Sequence, residues 1–311
     1  MTKEFRGSYT VAITPFTPDD QSVDVEALKG FLDWQLEVGV PGVIILGSTG
    51  EFLTLNREER QLIVDTTVKQ INGRIPVIVG TMDAYTPRAV SQSVEAQELG
   101  ADGLMIIPPY YYTPTDDEVF AYYRAIDEAV SIPIMLYNNP VTSNIDMSAA
   151  LVARLVKAFD TVRYIKESSQ ELGRVRDVIE ATSGMINVFA GERVVDSFLL
   201  GAVGYVNPYG NYIPRASSQI FDLLLEGRIE DAREIQRLID AIDHIIAEGH
   251  PTYGHQCYSK ALAAAMGHPV GDVRPPLTKF GELGEEGIGR VARIKKLMSS
   301  LDALMDRLNQ E

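Results

Sequence analysis

Cysteine is nearly absent from this chain. Cys257 is the single one in 311 residues, so no intrachain disulfide can form. That usage suits a reducing compartment. The neighbours of Cys257 read as a helix, and a buried helix thiol is expected there rather than a nucleophile. Positive charge is scarce as well: 28 Lys and Arg stand against 43 Asp and Glu, giving a net charge of −15 and a pI of about 4.8. Such a surface repels nucleic acid and anionic membrane, and both are set aside as partners. The acidity does not restrict the substrate, because a local site can oppose the global sign. No apolar run approaches the roughly 18 residues of a membrane span. Met1–Arg6 carries no apolar stretch of signal-peptide length. A soluble cytoplasmic protein is expected. Histidine occurs four times, as His244, His250, His255 and His268, all late in the chain. No His or Asp/Glu grouping has metal-ligand spacing, so no metal centre is expected. No histidine accompanies Ser48, which leaves no Ser-His-Asp arrangement. His250 and His255 read as loop residues.

What is present is ordinary globular material, 45% hydrophobic and 23% charged, enough for a large core. Eight β-rich runs recur: Ser8–Phe16, Gly42–Leu46, Pro76–Gly80, Gly103–Pro108, Pro133–Tyr137, Val162–Lys166, Ile186–Ala190 and Gly204–Asn207. Most are continuous Val/Ile/Leu/Met stretches, the mark of parallel strands covered by helices. Between them lie helical spacings, such as Leu28, Phe31, Leu32, Gln35 and Leu36, then Leu62, Ile63 and Thr66. Asn56 with Glu59, and Thr115 with Glu118, read as helix starts. Gly39, Gly73, Gly100 and Gly184 read as stops. Eight alternating units argue for an α/β fold, a (β/α)8 TIM barrel with a C-terminal helical region. A doubly wound sheet would want a Gly-x-Gly-x-x-Gly turn after its first strand. Thr14-Pro15-Phe16-Thr17-Pro18 stands there instead. After Gly227 the pattern is helical only, with Glu230–Glu248, Tyr258–Met266 and Gly287–Leu308. The chain therefore divides into a catalytic barrel over residues 1–226 and a helical region over 227–311.

Lys166 is the most informative residue. It alone among nine lysines falls inside an apolar strand-like segment, Val162-Arg163-Tyr164-Ile165-Lys166. Alternation places Val162, Tyr164 and Lys166 on one face. Burying an ammonium costs several kcal/mol unless something compensates. Desolvation favours the neutral amine, which is a nucleophile. The plainer alternative is a lysine at the end of its strand, paired with Glu167 or another carboxylate.

Barrel chemistry sits at the C-terminal ends of the strands. The second strand ends in Gly47-Ser48-Thr49-Gly50-Glu51, a loop able to aim N–H groups and two hydroxyls at an anion. The alternative is a tight turn that needs glycine for positive φ. The fourth ends in Pro108-Pro109-Tyr110-Tyr111-Tyr112, which reads as interface packing or, for one phenol, as a proton relay. The fifth ends in Tyr137-Asn138-Asn139-Pro140. With Ile134 and Leu136 against the helices, Tyr137 points inward beside the sixth strand. Adjacent strands lie about 5 Å apart, so a phenol and an amine can meet one substrate atom. The seventh ends in Gly191 and the eighth near Val206, each also readable as plain loop or wall.

These motifs resemble the dihydrodipicolinate synthase / N-acetylneuraminate lyase family. The likeness rests on Gly47–Glu51, Tyr137–Pro140 and Ile165-Lys166-Glu167, with 29 residues from Tyr137 to Lys166. It extends to Pro109-Tyr110-Tyr111, Lys260-Ala261-Leu262 and Arg274-Pro275-Pro276-Leu277. The resemblance implies a Schiff-base lyase, usually a homotetramer built as a dimer of dimers, acting on pyruvate or another 2-oxo acid without a cofactor beyond the lysine imine. Lys166 matches the imine-forming lysine and Tyr137 the proton-shuttling tyrosine. Ser48 and Thr49 match the hydroxyl pair that holds the pyruvate carboxylate. Tyr111 matches a tyrosine that reaches into a neighbouring subunit's site and completes a proton relay, and Ser48 counts with Lys166, Tyr137 and Tyr111 among the catalytic residues. Gly191 and Val206 match residues lining the pyruvate end. One departure bears on substrate. Synthases proper usually carry arginine five residues after this tyrosine, and Thr142 stands there. A hydroxyl does not replace a bidentate guanidinium. The sugar-binding signature of the neuraminate lyases is also missing, since Glu192-Arg193-Val194 follow Gly191. Aldol cleavage or dehydration of a 2-oxo-3-deoxy sugar acid, or of a 4-hydroxy-2-oxo acid, is the expected reaction. Glu192 or Arg193 reads as a contact to its distal part or as a solvated helix-start charge. A true 4-hydroxy-tetrahydrodipicolinate synthase and a non-catalytic 2-oxo-acid-binding barrel are the alternatives.

Overall fold

The computed structural model describes residues 4–248 and 255–310. Among these residues, eight parallel strands close into a barrel in chain order. They are β1 (Gly7–Val11), β2 (Val43–Ile45), β3 (Val77–Gly80), β4 (Gly103–Ile106), β5 (Ile134–Asn138), β6 (Val162–Glu167), β7 (Asn187–Ala190) and β8 (Gly204–Asn207). Each falls on one of the eight apolar runs, mostly trimmed at its ends. β1, β2, β3, β4, β5 and β8 are buried along their whole length, which is why the runs are continuous rather than alternating.

The helices between strands follow from their caps. Asp24 accepts from Ala27 N at 2.9 Å to open Val25–Val38, and Gly39 at φ 83° closes it. Leu28, Phe31, Leu32 and Gln35 face the core, as the spacing requires. Asn56 with Glu59, and Thr115 with Glu118, form reciprocal capping boxes on Arg57–Ile71 and Asp116–Asp127. In Arg57–Ile71 the inward residues are Ile63, Val64, Thr66, Thr67 and Ile71, whereas Leu62 is exposed.

The chain forms two compact units. One takes in the chain up to Gly7 and Pro76–Val206; the other takes in Ser8–Ile75 and the chain from Asn207 onward. In the first, β3 to β8 pair in succession. Tyr164 stacks on Phe5 at 4.7 Å between ring centroids, and its hydroxyl accepts Phe5 N at 3.1 Å. In the second, β1 and β2 pair as Thr10 with Val43 and Val11 with Ile44. Asn211, fully buried, accepts from Ile13 N at 3.0 Å and donates to Val11 O at 2.8 Å, satisfying backbone at the end of β1. The C-terminal segment contributes Pro214–Leu225, Ile229–Ala247, His255–Ala265 and Gly284–Leu308. His255 opens a helix rather than lying in a loop; His250 lies outside the described residues. Among the described residues no helix is long and apolar enough to cross a membrane.

Cys257 sits buried in His255–Ala265. Burial, with Asp272 nearby, pushes its thiol from 9.0 up to about 12. An acid whose folded pKa is raised contributes stability below its unfolded pKa, and this is lost as pH climbs through the folded value. The native protein should therefore leave Ellman's reagent uncoloured at pH 8 and release one thiol equivalent only on denaturation. Replacing Cys257 by Ala should reduce the loss of stability between pH 9 and 12. Rapid native labelling, or an unaltered alkaline limb in the variant, contradicts this.

Candidate active site

The register of β5 and β6 sets the centre of the site. Tyr137 pairs with Lys166, and Asn138 with Glu167. Alternation then puts Tyr137 and Lys166 on one face and Asn138 and Glu167 on the other. Lys166 Nζ lies 4.3 Å from the centroid of the Tyr137 ring. Both side chains are largely buried, with Lys166 at 9% exposure and Tyr137 at 5%. The ring face attracts the cation without forming an ion pair. Among the described residues no Asp or Glu pairs with this nitrogen, and Glu167 spends its oxygens elsewhere. Asn139 Nδ2 donates to Tyr137 Oη at 2.9 Å. The phenol oxygen thus receives a hydrogen bond from behind, and its own proton remains available to another acceptor.

The opposite face explains why the register is fixed. Asn138 is fully buried; its amide donates to both Glu167 oxygens at 3.2 and 3.1 Å and to Asp146 at 3.1 Å, and it accepts Met147 N at 2.9 Å. Glu167 also accepts Ser169 N at 2.8 Å. Burial pushes the Glu167 carboxyl up, against the pull of Ser169, Asn138 and Arg174. Arg174 grips Asp146 through two bonds, at 2.8 and 2.7 Å. Burial works against the Asp146 charge, but Arg174 and Asn138 hold its carboxyl below the usual range. A one-residue slip of β6 would break this network and turn Lys166 to the outside.

The loop after β2 belongs to the other unit. Leu46 and Glu51 bracket it in the left-handed region, at φ 57° and 56°. Gly50 N donates to Gly47 O, Glu51 N to Ser48 O, and Phe52 N to Gly47 O. Among the described residues the amides of Ser48 and Thr49 take no part in that turn, and two hydroxyls stand beside them. Positive φ is therefore not the reason for glycine at Gly50. A Cβ there would lie 2.9 Å from Ala12 O, too close for a carbon against a carbonyl. Three contacts from the helix His255–Ala265 reach this loop. His255 Nε2 lies 3.4 Å from Thr49 Oγ1, Gln256 Nε2 donates to Ser48 O at 3.3 Å, and Lys260 Nζ lies 2.7 Å from Glu51 Oε1. A histidine thus stands beside the hydroxyl pair, contrary to the sequence expectation. Its distance of 206 residues from Thr49 hides it from any local motif.

The remaining predicted residues are placed as follows. Gly191 N donates to Glu167 O at 2.8 Å, and a Cβ on Gly191 would meet Ser168 Oγ at 1.8 Å and Glu167 O at 2.8 Å. Val206 is fully buried in β8. Tyr111 is 82% exposed, at φ 78°, with Tyr112 against it at 5.5 Å. Thr142 Oγ1 donates back to Asn139 O at 3.3 Å. Arg193 is an exposed residue at the start of Val194–Leu199, paired with Asp196 at 3.0 Å. Asn138, Asn139, His255, Gln256 and Lys260 make contacts for which sequence reasoning supplies no role. Asn138 and Asn139 carried a signal in their position after Tyr137. Among the described residues no group of three or more His, Cys, Asp or Glu side chains is placed to hold a metal ion.

Residues 4–294 match the model of the dihydrodipicolinate synthetase family. The chain belongs to that family. It is 33% identical over 281 residues to a 4-hydroxy-tetrahydrodipicolinate synthase of Pelobacter propionicus, covering 89% of this chain and 94% of the relative. Its fold matches the 4-hydroxy-tetrahydrodipicolinate synthase of Methylacidiphilum fumariolicum SolV with TM-score 0.88 at 29% identity, over 97% and 99% of the two chains. It matches YagE, a prophage protein of the same family from E. coli K12 solved in complex with pyruvate, with TM-score 0.88 at 27% identity, over 96% and 99%. Members of the family are lyases that work through a lysine–pyruvate Schiff base and are typically tetrameric, and this chain is a Schiff-base lyase of that class.

Gly191→Ala should cost about 1–3 kcal/mol, because the new methyl has no space against the β6 backbone. Urea denaturation reads the loss, and pyruvate-dependent turnover should fall with it. A variant as stable and active as the parent would show that β6 and β7 separate freely at this point.

Proposed function

We propose that Lys166 forms the imine and that the substrate is a 2-oxo-3-deoxy sugar acid or a related 4-hydroxy-2-oxo acid. The observation that carries the first part is the nearly buried nitrogen of Lys166 against Tyr137, with no Asp or Glu paired to it among the described residues. As the free amine it adds to C2 of the keto acid, the carbinolamine loses water, and the resulting iminium withdraws electrons from C3. Cleavage between C3 and C4, or loss of a C3 proton, then follows. Tyr137, oriented by Asn139, moves protons to and from the carbinolamine oxygen. The Ser48 and Thr49 hydroxyls and amides hold the carboxylate, with Ser48 and Tyr111 of the relay completing the proton path in an assembled tetramer. Gly191 and Val206 line the pyruvate end. The reading takes residues 1–226 as the catalytic barrel and 227–311 as a helical region, in a cytoplasmic enzyme that needs no cofactor beyond its imine.

The substrate preference rests on Thr142. The segment Val141–Asn144 contains no cation, and the Thr142 hydroxyl is turned to its own backbone. A distal carboxylate would lose the two-pronged partner it needs there. The names of the similar proteins favour a second reading, 4-hydroxy-tetrahydrodipicolinate synthase, with the aldehyde's carboxylate gripped by another group.

Borohydride reduction with pyruvate should leave a covalent adduct on Lys166 by mass mapping, and Lys166→Ala should abolish it while keeping the fold. Tyr137→Phe should lower kcat by roughly 10²–10⁴ with the adduct still formed slowly. Efficient condensation of pyruvate with aspartate semialdehyde, and none of the cleavage activities, would reject the sugar-acid preference. A folded enzyme labelled elsewhere than Lys166 would reject the imine assignment.

A further inference from the structure

Lys260 is more deeply buried than Lys166, at 1% against 9% exposure, and its surroundings differ in kind. Its ammonium lies 2.7 Å from Glu51 Oε1, donates to Asp272 O at 2.9 Å, and sits 4.0 Å above the Phe16 ring. Burial lowers its pKa, and Glu51 opposes that by favouring the charge. Glu51 is itself buried, and its other oxygen accepts Arg274 N at 2.9 Å. Arg274 in turn donates to Thr54 O at 2.9 Å and to Glu59 at 3.0 Å, and its guanidinium lies 4.1 Å from the centroid of the same Phe16 ring. A charged pair in such a place demands a reason, since apolar residues of equal volume would serve stability as well. Glu51 supplies one. It is the last residue of the loop that leaves the Ser48 and Thr49 amides unused, and it holds a left-handed backbone that a non-glycine residue adopts only under constraint.

We propose that Glu51 and Lys260 are positioning residues that fix the Gly47–Glu51 loop so that Ser48 and Thr49 can receive the carboxylate of the 2-oxo acid. The inference rests on the role given to Ser48 and Thr49 above. The pair is internally neutral, so it acts on the loop's shape and not by attracting the anion. Gln256 on Ser48 O and His255 beside the Thr49 hydroxyl make the same helix a brace along the loop. The helical region is thereby part of the binding site's construction.

The test compares wild type with Glu51→Gln, Lys260→Met and the double variant, which removes both charges and leaves no lone ion in the core. Borohydride trapping is followed against the concentration of pyruvate and of its neutral analogue pyruvamide. In folded variants the half-saturating pyruvate concentration should rise by about tenfold or more, with the maximal trapping rate held within about threefold and pyruvamide little affected. A merely structural pair would weaken both ligands alike or neither. Folded variants with unchanged pyruvate saturation, or with equal losses for both ligands, overturn the inference. Wild-type protein supplies an arm that needs no variant. The Gly50, Glu51 and Phe52 amides should be protected from hydrogen exchange before pyruvate is added; a loop that gains protection only with pyruvate overturns it. Wild type that is not trapped by pyruvate at all defeats the proposed function itself, and is thus distinguishable from failure of the pair.

Discussion

The pairing of Tyr137 with Lys166 across β5 and β6 is the constraint on which the proposed chemistry depends, and it is enforced from the face that does no chemistry. Asn138 and Glu167 are the next residues along the same two strands. Their bonds are buried, so breaking them leaves polar groups without water to replace the partner, at about 1–3 kcal/mol for each group. Asp146 and Arg174 extend the lock to the helix that follows β6. Because side chains alternate, fixing Asn138 against Glu167 fixes Tyr137 against Lys166 without a direct bond between them. That indirectness matters: a strong hydrogen bond or ion pair to the amine would hold it equally well and would also consume it.

Two buried lysines in one chain show what separates a reactive group from a structural one. Lys260 has a carboxylate, a carbonyl and a ring around its nitrogen, and removing one partner of such a pair costs about 3–5 kcal/mol. Among the described residues Lys166 has the ring of Tyr137 and no carboxylate. Burial as such does not distinguish them, since Lys260 is the deeper of the two. The discriminating quantity is how much of the ammonium's lost hydration the protein replaces. Around Lys260 a carboxylate and a carbonyl take up the nitrogen and leave it no room to react.

The strands, most caps and the outline of the C-terminal helices were legible because their signals are local. Continuous Val/Ile runs identify buried parallel strands, and Asn56 with Glu59 or Thr115 with Glu118 identify helix starts within four residues. Lys166 was legible because a charge inside an apolar run is anomalous on sight. Lys260 was not. It lies on a helix among alanines, where a lysine is ordinarily solvated, and its partner Glu51 is a strand-end carboxylate that looks equally ordinary. His255 was misread for the same reason: nothing within its own segment announces Thr49. Gly50 carried a correct signal with the wrong cause attached. The residue is needed for its missing Cβ beside Ala12 O, while the left-handed angles fall on Leu46 and Glu51.

The chain's acidity gives the loop after β2 a further logic. A net charge of −15 gives an anionic keto acid no overall attraction to this protein, so a local site has to oppose the global sign. On the proposed reading recognition comes from donors that act at contact, the amides and hydroxyls of Ser48 and Thr49 rather than a cation. Neutral donors bind a carboxylate well only when they are already aimed, because nothing else offsets the cost of ordering them. A cationic grip tolerates a mobile loop; a dipolar one does not. The two left-handed residues, the Gly50 contact with β1's continuation and the buried ion pair from the C-terminal helix all remove freedom from the same five residues. The fold thus spends its rigidity where the ligand's charge would otherwise have no counter-ion.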